Sequence, residues 1–255
     1  MVVAVGDIFM PRECAACGRK LLLREKHLCI WCQADLPFTF FWQSQRNPMS
    51  EKFNWLISQS ITNSPNYSTE GILGGVRAAA LFFYVDGYKK LSQKLKYNAD
   101  ISEGRLFSRM LGERLSGSEL FRDVDLVVPV PLHWTRMLKR GYNQAEVIAT
   151  ELSKCLNARV EPNLLRRIKH TKTQTKLSIE QKADNVAGAF DVCTKILEKN
   201  FRSNSMSPHH ILIVDDVFTT GSTLLGCWLP LRKALSSFSG TCLVSVATLA
   251  FVGNS

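Results

Sequence analysis

Apolar runs alternate with helical patterns over residues 76–255, and this alternation predicts an α/β domain. Four runs have the length and apolar character of strands: 78–85, 124–131, 211–214 and 241–252. Between several of them, apolar residues recur every three or four positions, as on one face of a helix. Strands separated by helices favour a parallel sheet with helices packed on its faces.

The clearest predicted helix follows Asn143. This residue type is a good N-cap, and Glu146 stands three positions later, where a capping partner is expected. The apolar stripe of this helix consists of Ala145, Ile148, Ala149, Leu152, Cys155 and Leu156. Another stretch of helical spacing runs over 106–115, and a third helix is predicted after Thr223.

The first third of the chain has a different pattern. Residues 1–40 contain paired cysteines and predict a small zinc-ribbon-like module. Residues 41–75 are mostly polar, with one short apolar patch, and read as a connecting segment that packs locally before the main domain at 76–255. Within the main domain, 161–190 is rich in basic and hydroxyl residues and predicts a mobile loop that acts as a lid.

The composition adds limits to this picture. A chain of 255 residues that is 45% hydrophobic and 21% charged can build one large domain with a small appendage. No apolar run approaches the roughly 18–20 residues that span a bilayer. The N-terminus lacks a basic n-region and a long apolar stretch, so we expect a cytoplasmic protein without membrane insertion.

The charge narrows the class of partner. A net charge of +10 and an isoelectric point near 9.3 favour polyanions, either phosphorylated small molecules or nucleic acid. A solvated basic surface without a specific partner explains the charge equally well. Charge alone therefore does not choose among these three.

Four of the eight cysteines form two pairs with metal-site spacing, Cys-x2-Cys, eleven residues, Cys-x2-Cys: Cys14, Cys17, Cys29 and Cys32. Two such knuckles can hold four thiolates tetrahedrally around one structural zinc ion. Two disulfides, which a reducing cytoplasm disfavours, and unliganded thiols are the alternatives. His27 lies between the pairs and is a candidate substitute ligand.

The candidate chemistry concentrates after the run at 211–214. Asp215 and Asp216 come first, and a hydroxyl-rich turn leads into the helix: Thr219, Thr220, Gly221, Ser222 and Thr223. N–H groups at a helix start lack intrahelical partners, and the dipole is positive there, so this turn is suited to phosphate. The carboxylates suit the hydroxyls of an attached sugar. An ordinary strand–turn–helix is the alternative, and a P-loop is excluded because its Gly-x4-Gly-Lys-Ser/Thr pattern is absent.

Residues 211–223 resemble the phosphoribosyl-pyrophosphate (PRPP) motif of type I phosphoribosyltransferases: an apolar strand, two acids, two variable residues and Thr-Thr-Gly-x-Thr. With the cysteine pairs, the chain resembles the ComF/GntX family, in which a zinc-ribbon-like module precedes a type I phosphoribosyltransferase fold. Further matching segments are 95–97, 128–132, 140–144, 173–177 and 185–190. The chain departs from the family at Lys182, where Arg is usual, and so loses a bidentate phosphate contact there.

The resemblance implies roles for individual residues. Asp215 and Asp216 would hold the ribose hydroxyls, and residues 219–223 the 5-phosphate of PRPP. Magnesium would bridge PRPP oxygens and needs few protein ligands. Candidates for binding pyrophosphate, or for the lid, are Lys96, His133, Arg136, Arg140, Arg167, Lys172, Lys176 and Lys182.

Two functions of different classes follow. The first is a phosphoribosyltransferase that transfers the phosphoribosyl group to a nitrogen acceptor and releases pyrophosphate. The second, implied by the family, is a non-catalytic accessory protein of DNA uptake in natural competence that binds single-stranded DNA or a helicase partner. Family members are often labelled amidophosphoribosyltransferases, but a glutaminase of that type needs an N-terminal cysteine. The first cysteine here is Cys14, so we expect no glutamine-dependent activity.

Overall fold

Five parallel strands form the central sheet of this computed structural model. The structure describes residues 12–62, 75–85, 101–132, 137–138, 141–168, 188–202, 209–238 and 242–253. In chain order the five strands are β1 (Ala78–Phe83), β2 (Leu126–Pro129), β3 (Arg159–Val160), β6 (His210–Phe218) and β7 (Leu243–Phe251). Their spatial order is β1-β7-β6-β2-β3, and each neighbouring pair is parallel.

The middle strands are buried on both faces, as their apolar runs require. Side chains alternate between the faces. Ile211 and Ile213 belong to one core cluster, and Leu212 and Val214 belong to the other. The predicted α/β class, with a parallel sheet flanked by helices, is therefore confirmed.

Helices cover both faces of the sheet. The described residues form six α-helices: α1 (Ile30–Ala34), α2 (Pro48–Thr62), α3 (Ile101–Ser116), α4 (Gln144–Leu156), α5 (Thr194–Arg202) and α6 (Ser222–Leu235). The buried apolar side chains of α2 and α6 pack in the first cluster, and those of α3 and of α4 after Ala145 pack in the second. None of the helices in the described ranges is both long enough and apolar enough to cross a membrane.

The N-terminal region joins the sheet through backbone pairing. The Thr39 N–H donates to the Leu81 carbonyl at 3.1 Å, and the Phe83 N–H donates to the Pro37 carbonyl at 2.8 Å. Residues 37–39 therefore cover a side of β1 whose N–H and C=O groups would otherwise lie at an open sheet edge. The side chains of Cys14 and Leu36 belong to the same core cluster as α3 and α4.

The described part of the connecting segment packs on the sheet. A 3-10 helix (Phe41–Gln43) precedes α2, and Asn47 stands at the start of α2. Met49 and Phe53 are fully buried in the cluster that α2 shares with α6. The apolar stripe of this segment packs against one face of the main sheet, so its contacts extend beyond its neighbours in the chain. The boundaries of the three predicted units stay a prediction.

The prediction of a mobile loop over 161–190 was wrong at both ends of that range, where the chain forms strands. Strands β4 (Leu165–Arg167) and β5 (Phe190–Val192) pair antiparallel there. Leu164, Leu165 and Phe190 are buried in the α6 cluster and anchor this small sheet. The intervening residues 169–187 lie outside the described residues, so the lid itself stays a prediction.

Candidate functional site

The neighbouring strands β6 and β2 lead the chain in opposite directions across the sheet. From β2 the chain continues to β3 at one edge, and from β6 it continues to β7 on the other side. Connections that diverge in this way leave a crevice at the carboxyl ends of the two strands, which is where open α/β sheets bind ligands. The hydroxyl-rich turn lies at this end because it follows β6 directly.

Gly221 makes the turn from β6 into α6. It adopts the left-handed conformation, with φ 81°, which favours glycine. A Cβ atom here would come within 2.7 Å of both Leu56 Cδ1 and Phe218 Cζ, so packing also excludes a side chain. The Thr220 and Ser222 hydroxyls lie 3.0 Å apart, and the Ser222 N–H points to Thr220 Oγ1 at 3.4 Å. The turn therefore gathers polar groups at the N-terminus of a 14-residue helix.

The five predicted phosphate-site residues differ in exposure. Thr219 is exposed, Thr220 and Thr223 are half-buried, and Gly221 and Ser222 are buried. A phosphate would thus meet the exposed and half-buried hydroxyls first.

Asp215 and Asp216 lie within β6, whereas the predicted strand ended at Val214. Backbone pairing with β7 continues through Asp215 to Phe218, although the side chains at 215 and 216 are polar. Both carboxylates are half-buried, and Asp215 Oδ1 accepts the Asp216 N–H at 2.9 Å. Successive strand side chains point to opposite faces, so the two acids approach the crevice from different sides.

Helix α2 packs directly beneath the turn. Lys52 Nζ donates to the Thr219 carbonyl at 3.0 Å and lies 5.8 Å from the centroid of the Phe218 ring. The rings of Phe53 and Phe218 stand edge to face at 6.2 Å. Lys52 was not among the sequence-predicted site residues because its segment read as a connection. The signal was the helical spacing of Phe53, Leu56 and Ile57 beside it.

The loop after β2 is fixed to the strand by Asn143. Its Oδ1 accepts the Ala145 N–H at 3.1 Å, which confirms the predicted N-cap of α4. Its Nδ2 donates to Glu146 Oε1 at 3.2 Å and to the Val130 carbonyl at 3.1 Å. This side chain therefore ties the start of α4 to the carboxyl end of β2, beside the crevice.

Arg167 is the predicted pyrophosphate cation that falls within the described residues. It ends β4, and its guanidinium lies 5.2 Å from the centroid of the Phe190 ring. Burial raises the pKa of the Cys227 thiol in α6 well above its usual value; the Asp215 carboxylate raises it further and Arg167 lowers it. Asp215 shares a face of β6 with Ile211 and Ile213, which pack in the α6 cluster, and Phe190 beside Arg167 belongs to the same cluster, so both charged residues lie on the α6 side of the sheet. Other predicted cations lie outside the described residues: Lys96, His133, Arg136, Arg140, Lys172, Lys176 and Lys182.

A second cluster, at the N-terminal region, has the geometry of a metal centre. The sulfur atoms of Cys14, Cys17, Cys29 and Cys32 all lie within 4.8 Å of one another. The Cys17 and Cys29 sulfurs are 3.8 Å apart, much farther than a disulfide bond. Zinc–sulfur bonds of about 2.3 Å give a sulfur–sulfur edge of roughly 3.8 Å in a tetrahedron. The four thiols could therefore hold a structural metal ion such as zinc, and His27 is not needed as a ligand.

The electrostatics of the cluster also suit a cation. Burial raises the pKa of Cys14, but hydrogen bonds from backbone N–H groups, including that of Cys29, outweigh it and lower the pKa to about 6. Burial and hydrogen bonds with the neighbouring thiols raise the pKa of Cys32. One thiol of the four thus ionises readily and another resists, as expected for crowded sulfurs whose joint ionisation needs a metal.

Glu25 holds the loop between the two cysteine pairs. Its carboxylate accepts the N–H of Leu22 at 2.7 Å and of Ile30 at 2.8 Å, the second at the start of α1. These hydrogen bonds lower the pKa of Glu25. This positioning role could not be predicted from the sequence, because a single acid in a basic loop gives no spacing signal.

Comparison with known proteins gives matches along much of the chain, although no family model matches. The chain is 26% identical over 219 residues to Competence protein F of Haemophilus influenzae, covering 85% of this chain and 89% of the relative. It is 30% identical over 135 residues to DNA utilization protein YhgH of Escherichia coli K12, covering 53% and 54%. It is 28% identical over 170 residues to Competence protein ComFC of Bacillus subtilis, covering 65% and 63%.

The matched region thus spans most of the Haemophilus protein and about half of the length of YhgH. The resemblance seen in the cysteine pairs and the 211–223 motif agrees with these relatives. These relatives support membership of the ComF family.

Proposed function

We propose that the chain has a type I phosphoribosyltransferase-like site that binds PRPP in the crevice between β6 and β2. The observation that carries the proposal is the turn at Gly221, whose left-handed backbone joins an acidic strand end to an uncapped helix N-terminus. The helix dipole and first-turn N–H groups suit the 5-phosphate. Asp215 and Asp216, upstream in the same strand, suit the ribose hydroxyls.

The proposed reaction transfers the phosphoribosyl group to a nitrogen acceptor. The acceptor nitrogen forms a bond to C1 of the ribose while the bond from C1 to pyrophosphate breaks, the electron pair leaves with pyrophosphate, and the N–H proton of the acceptor passes to solvent. Arg167 would offset part of the charge of the leaving group from the α6 side of the sheet. Magnesium, when bound with PRPP, would neutralise phosphate oxygens and needs few protein ligands.

Calorimetric titration with PRPP and magnesium tests the proposal. Wild-type protein should bind, and Asp215→Asn/Asp216→Asn should bind at least about tenfold more weakly, because charge-assisted hydrogen bonds to the ribose are lost. Ribose 5-phosphate and pyrophosphate, titrated separately, assign the two halves of the site. Absence of PRPP binding by the wild type would refute the proposal.

A second candidate function is an accessory role in DNA uptake, and the names of the relatives favour it. On the surface of the cysteine module, Trp31 is 70% exposed. Four basic residues of the same module are also exposed: Arg19, Lys20, Arg24 and Lys26. Exposed aromatic rings, on which bases stack, and exposed cations, which contact phosphates, are the groups that bind single-stranded nucleic acid.

Titration of a labelled single-stranded oligonucleotide at several salt concentrations tests this second function. Affinity should fall as salt rises, because cation–phosphate contacts release counterions. Trp31→Ala should weaken binding about tenfold through lost stacking. Trp55→Ala is the matched control, since Trp55 is also exposed, at 56%, but lies on α2. Salt-insensitive binding, or equal effects of the two substitutions, would argue against it.

A further inference from the structure

Lys52 reaches from α2 to the start of α6. Its Nζ donates to the Thr219 carbonyl at 3.0 Å. The Lys52 side chain is half-buried, and this partial removal from water lowers its pKa. A partly desolvated charge acts more strongly on its neighbours than one in bulk water. The cation next to the turn therefore comes from the N-terminal part of the chain.

The contact also fixes the orientation of a peptide in the turn. In a trans peptide, the C=O and N–H groups point in opposite directions. When Lys52 holds the Thr219 carbonyl toward α2, the N–H of Thr220 is turned to the opposite side of the turn. A fixed N–H donor costs less to use in binding than one that must first be ordered.

Four residues after Lys52 in α2, Leu56 restrains the other end of the loop at 219–223. Its Cδ1 atom lies 2.7 Å from where a Cβ of Gly221 would be. Residues four apart on a helix share a face, so Lys52 and Leu56 act on the turn together. Helix α2 thus sets both the peptide at Thr219 and the backbone at Gly221.

We propose that Lys52 is a positioning and specificity residue that selects ligands with a 5-phosphate on the ribose. The inference rests on the proposed function, because it concerns the same turn. An ammonium group has three donor hydrogens, and the Thr219 carbonyl takes one of them. The group orients the turn from the α2 side, and its positive charge lies close enough to the turn to attract a dianionic phosphate bound on the opposite side. Free pyrophosphate, which would bind on the other side of the ribose site, does not depend on it.

Three titrations of the full, zinc-loaded chain test the inference: PRPP with magnesium, ribose 5-phosphate, and pyrophosphate with magnesium. Lys52→Gln should weaken the first two by at least about tenfold, as for one lost charge-assisted hydrogen bond. Pyrophosphate affinity should stay within about twofold. Lys52→Arg, which keeps the charge and a donor, should restore most of the affinity. The matched control is Lys233→Gln, which removes an exposed charge from the last turn of α6, at the end of that helix away from the 219–223 turn.

The outcomes separate this inference from the proposed function. If wild-type protein binds no PRPP, both fall. If Asp215→Asn/Asp216→Asn loses binding but Lys52→Gln does not, only the Lys52 inference falls. Equal losses in Lys52→Gln and Lys233→Gln would also overturn it, because the effect would then be one of total charge. The ratio of ribose 5-phosphate to pyrophosphate affinity within one variant cancels any loss of folded protein.

Discussion

Among single residues, Gly221 is the position where the candidate site tolerates least change. Its positive φ costs a residue with a Cβ about 1–2 kcal/mol, and the clash with Leu56 and Phe218 costs about 1–3 more. Gly221→Ala should therefore lower the free energy of unfolding by about 2–5 kcal/mol in urea melts and weaken PRPP binding. Gly117→Ala, whose nearest atom would be 3.7 Å away, is the control. Equal losses in both variants would contradict the explanation.

His210, at the other end of β6, should make stability depend on pH. It is fully buried between Asp123, 2.8 Å from Nδ1, and Ser245, 2.6 Å from Nε2. Burial lowers its pKa, the nearby carboxylates of Asp123 and Asp125 raise it in part, and Arg77 lowers it. The neutral ring is fully bonded when Nδ1–H donates to Asp123 and Nε2 accepts from the Ser245 hydroxyl.

Because the folded pKa lies below the unfolded value of about 6.5, the unfolded chain binds the extra proton. Stability should therefore fall as the pH drops through about 6.5, and the loss is complete below the folded pKa. Urea melts between pH 8 and 5 should show this slope, and His210→Gln should reduce it. Loss of metal at low pH adds its own slope, which the comparison with the variant removes. An unchanged slope in His210→Gln would count against this role.

At the scale of elements, the sequence predicted those strands and helices that local apolar patterns and capping residues determine. The strands at 126–129 and 243–251 and helix α4 came from apolar periodicity and from the Asn143 cap. Strands β4 and β5 were missed because each has three residues and is fixed by burial against α6. The continuation of β6 through Asp215 and Asp216 was missed because pairing with β7, and not the type of side chain, keeps that backbone extended.

Asn47 shows how one element can depend on a single side chain. Its Oδ1 accepts the N–H groups of Met49 and Ser50, and its Nδ2 donates to the carbonyl of Ala78 in β1 at 2.9 Å. Asn47→Ala removes the cap and leaves buried groups unsatisfied, so the free energy of unfolding should fall by about 2–4 kcal/mol. Asn47→Asp keeps the capping oxygen but loses the donor, and chemical denaturation should give it an intermediate value. A variant Asn47→Asp as unstable as Asn47→Ala would show that the cap contributes little.

On the scale of the whole molecule, the contacts that join the cysteine module to the sheet link residues far apart in the chain. Phe38 pairs with Phe82 across the edge of β1, and the Arg114 guanidinium lies 4.3 Å from the Phe38 ring centroid. Lys52 and Thr219 are joined across 167 positions. No local sequence pattern encodes contacts between residues so far apart in the chain. The cysteine cluster and the 219–223 turn could therefore be predicted from the sequence, but the position of α2 between them could not.

Metal removal should consequently affect more than the four cysteines. Cys14 and Cys29 are buried in the same core cluster as Phe82 and Phe107, so unliganded thiolates would lie at the edge of the main core. Loss of a structural metal is among the few changes that cost about 4 kcal/mol or more, which lowers Tm by roughly 8–16 °C for a chain of this size. We expect Cys14→Ser, or chelation followed by a melting scan, to show this loss. PRPP binding should weaken with it, because residues 37–39 and α2 lead from the module to Thr219.

Cys155→Ser, outside the cluster, is the control. A melting curve unchanged after stoichiometric metal release would show that the module and the sheet are energetically independent.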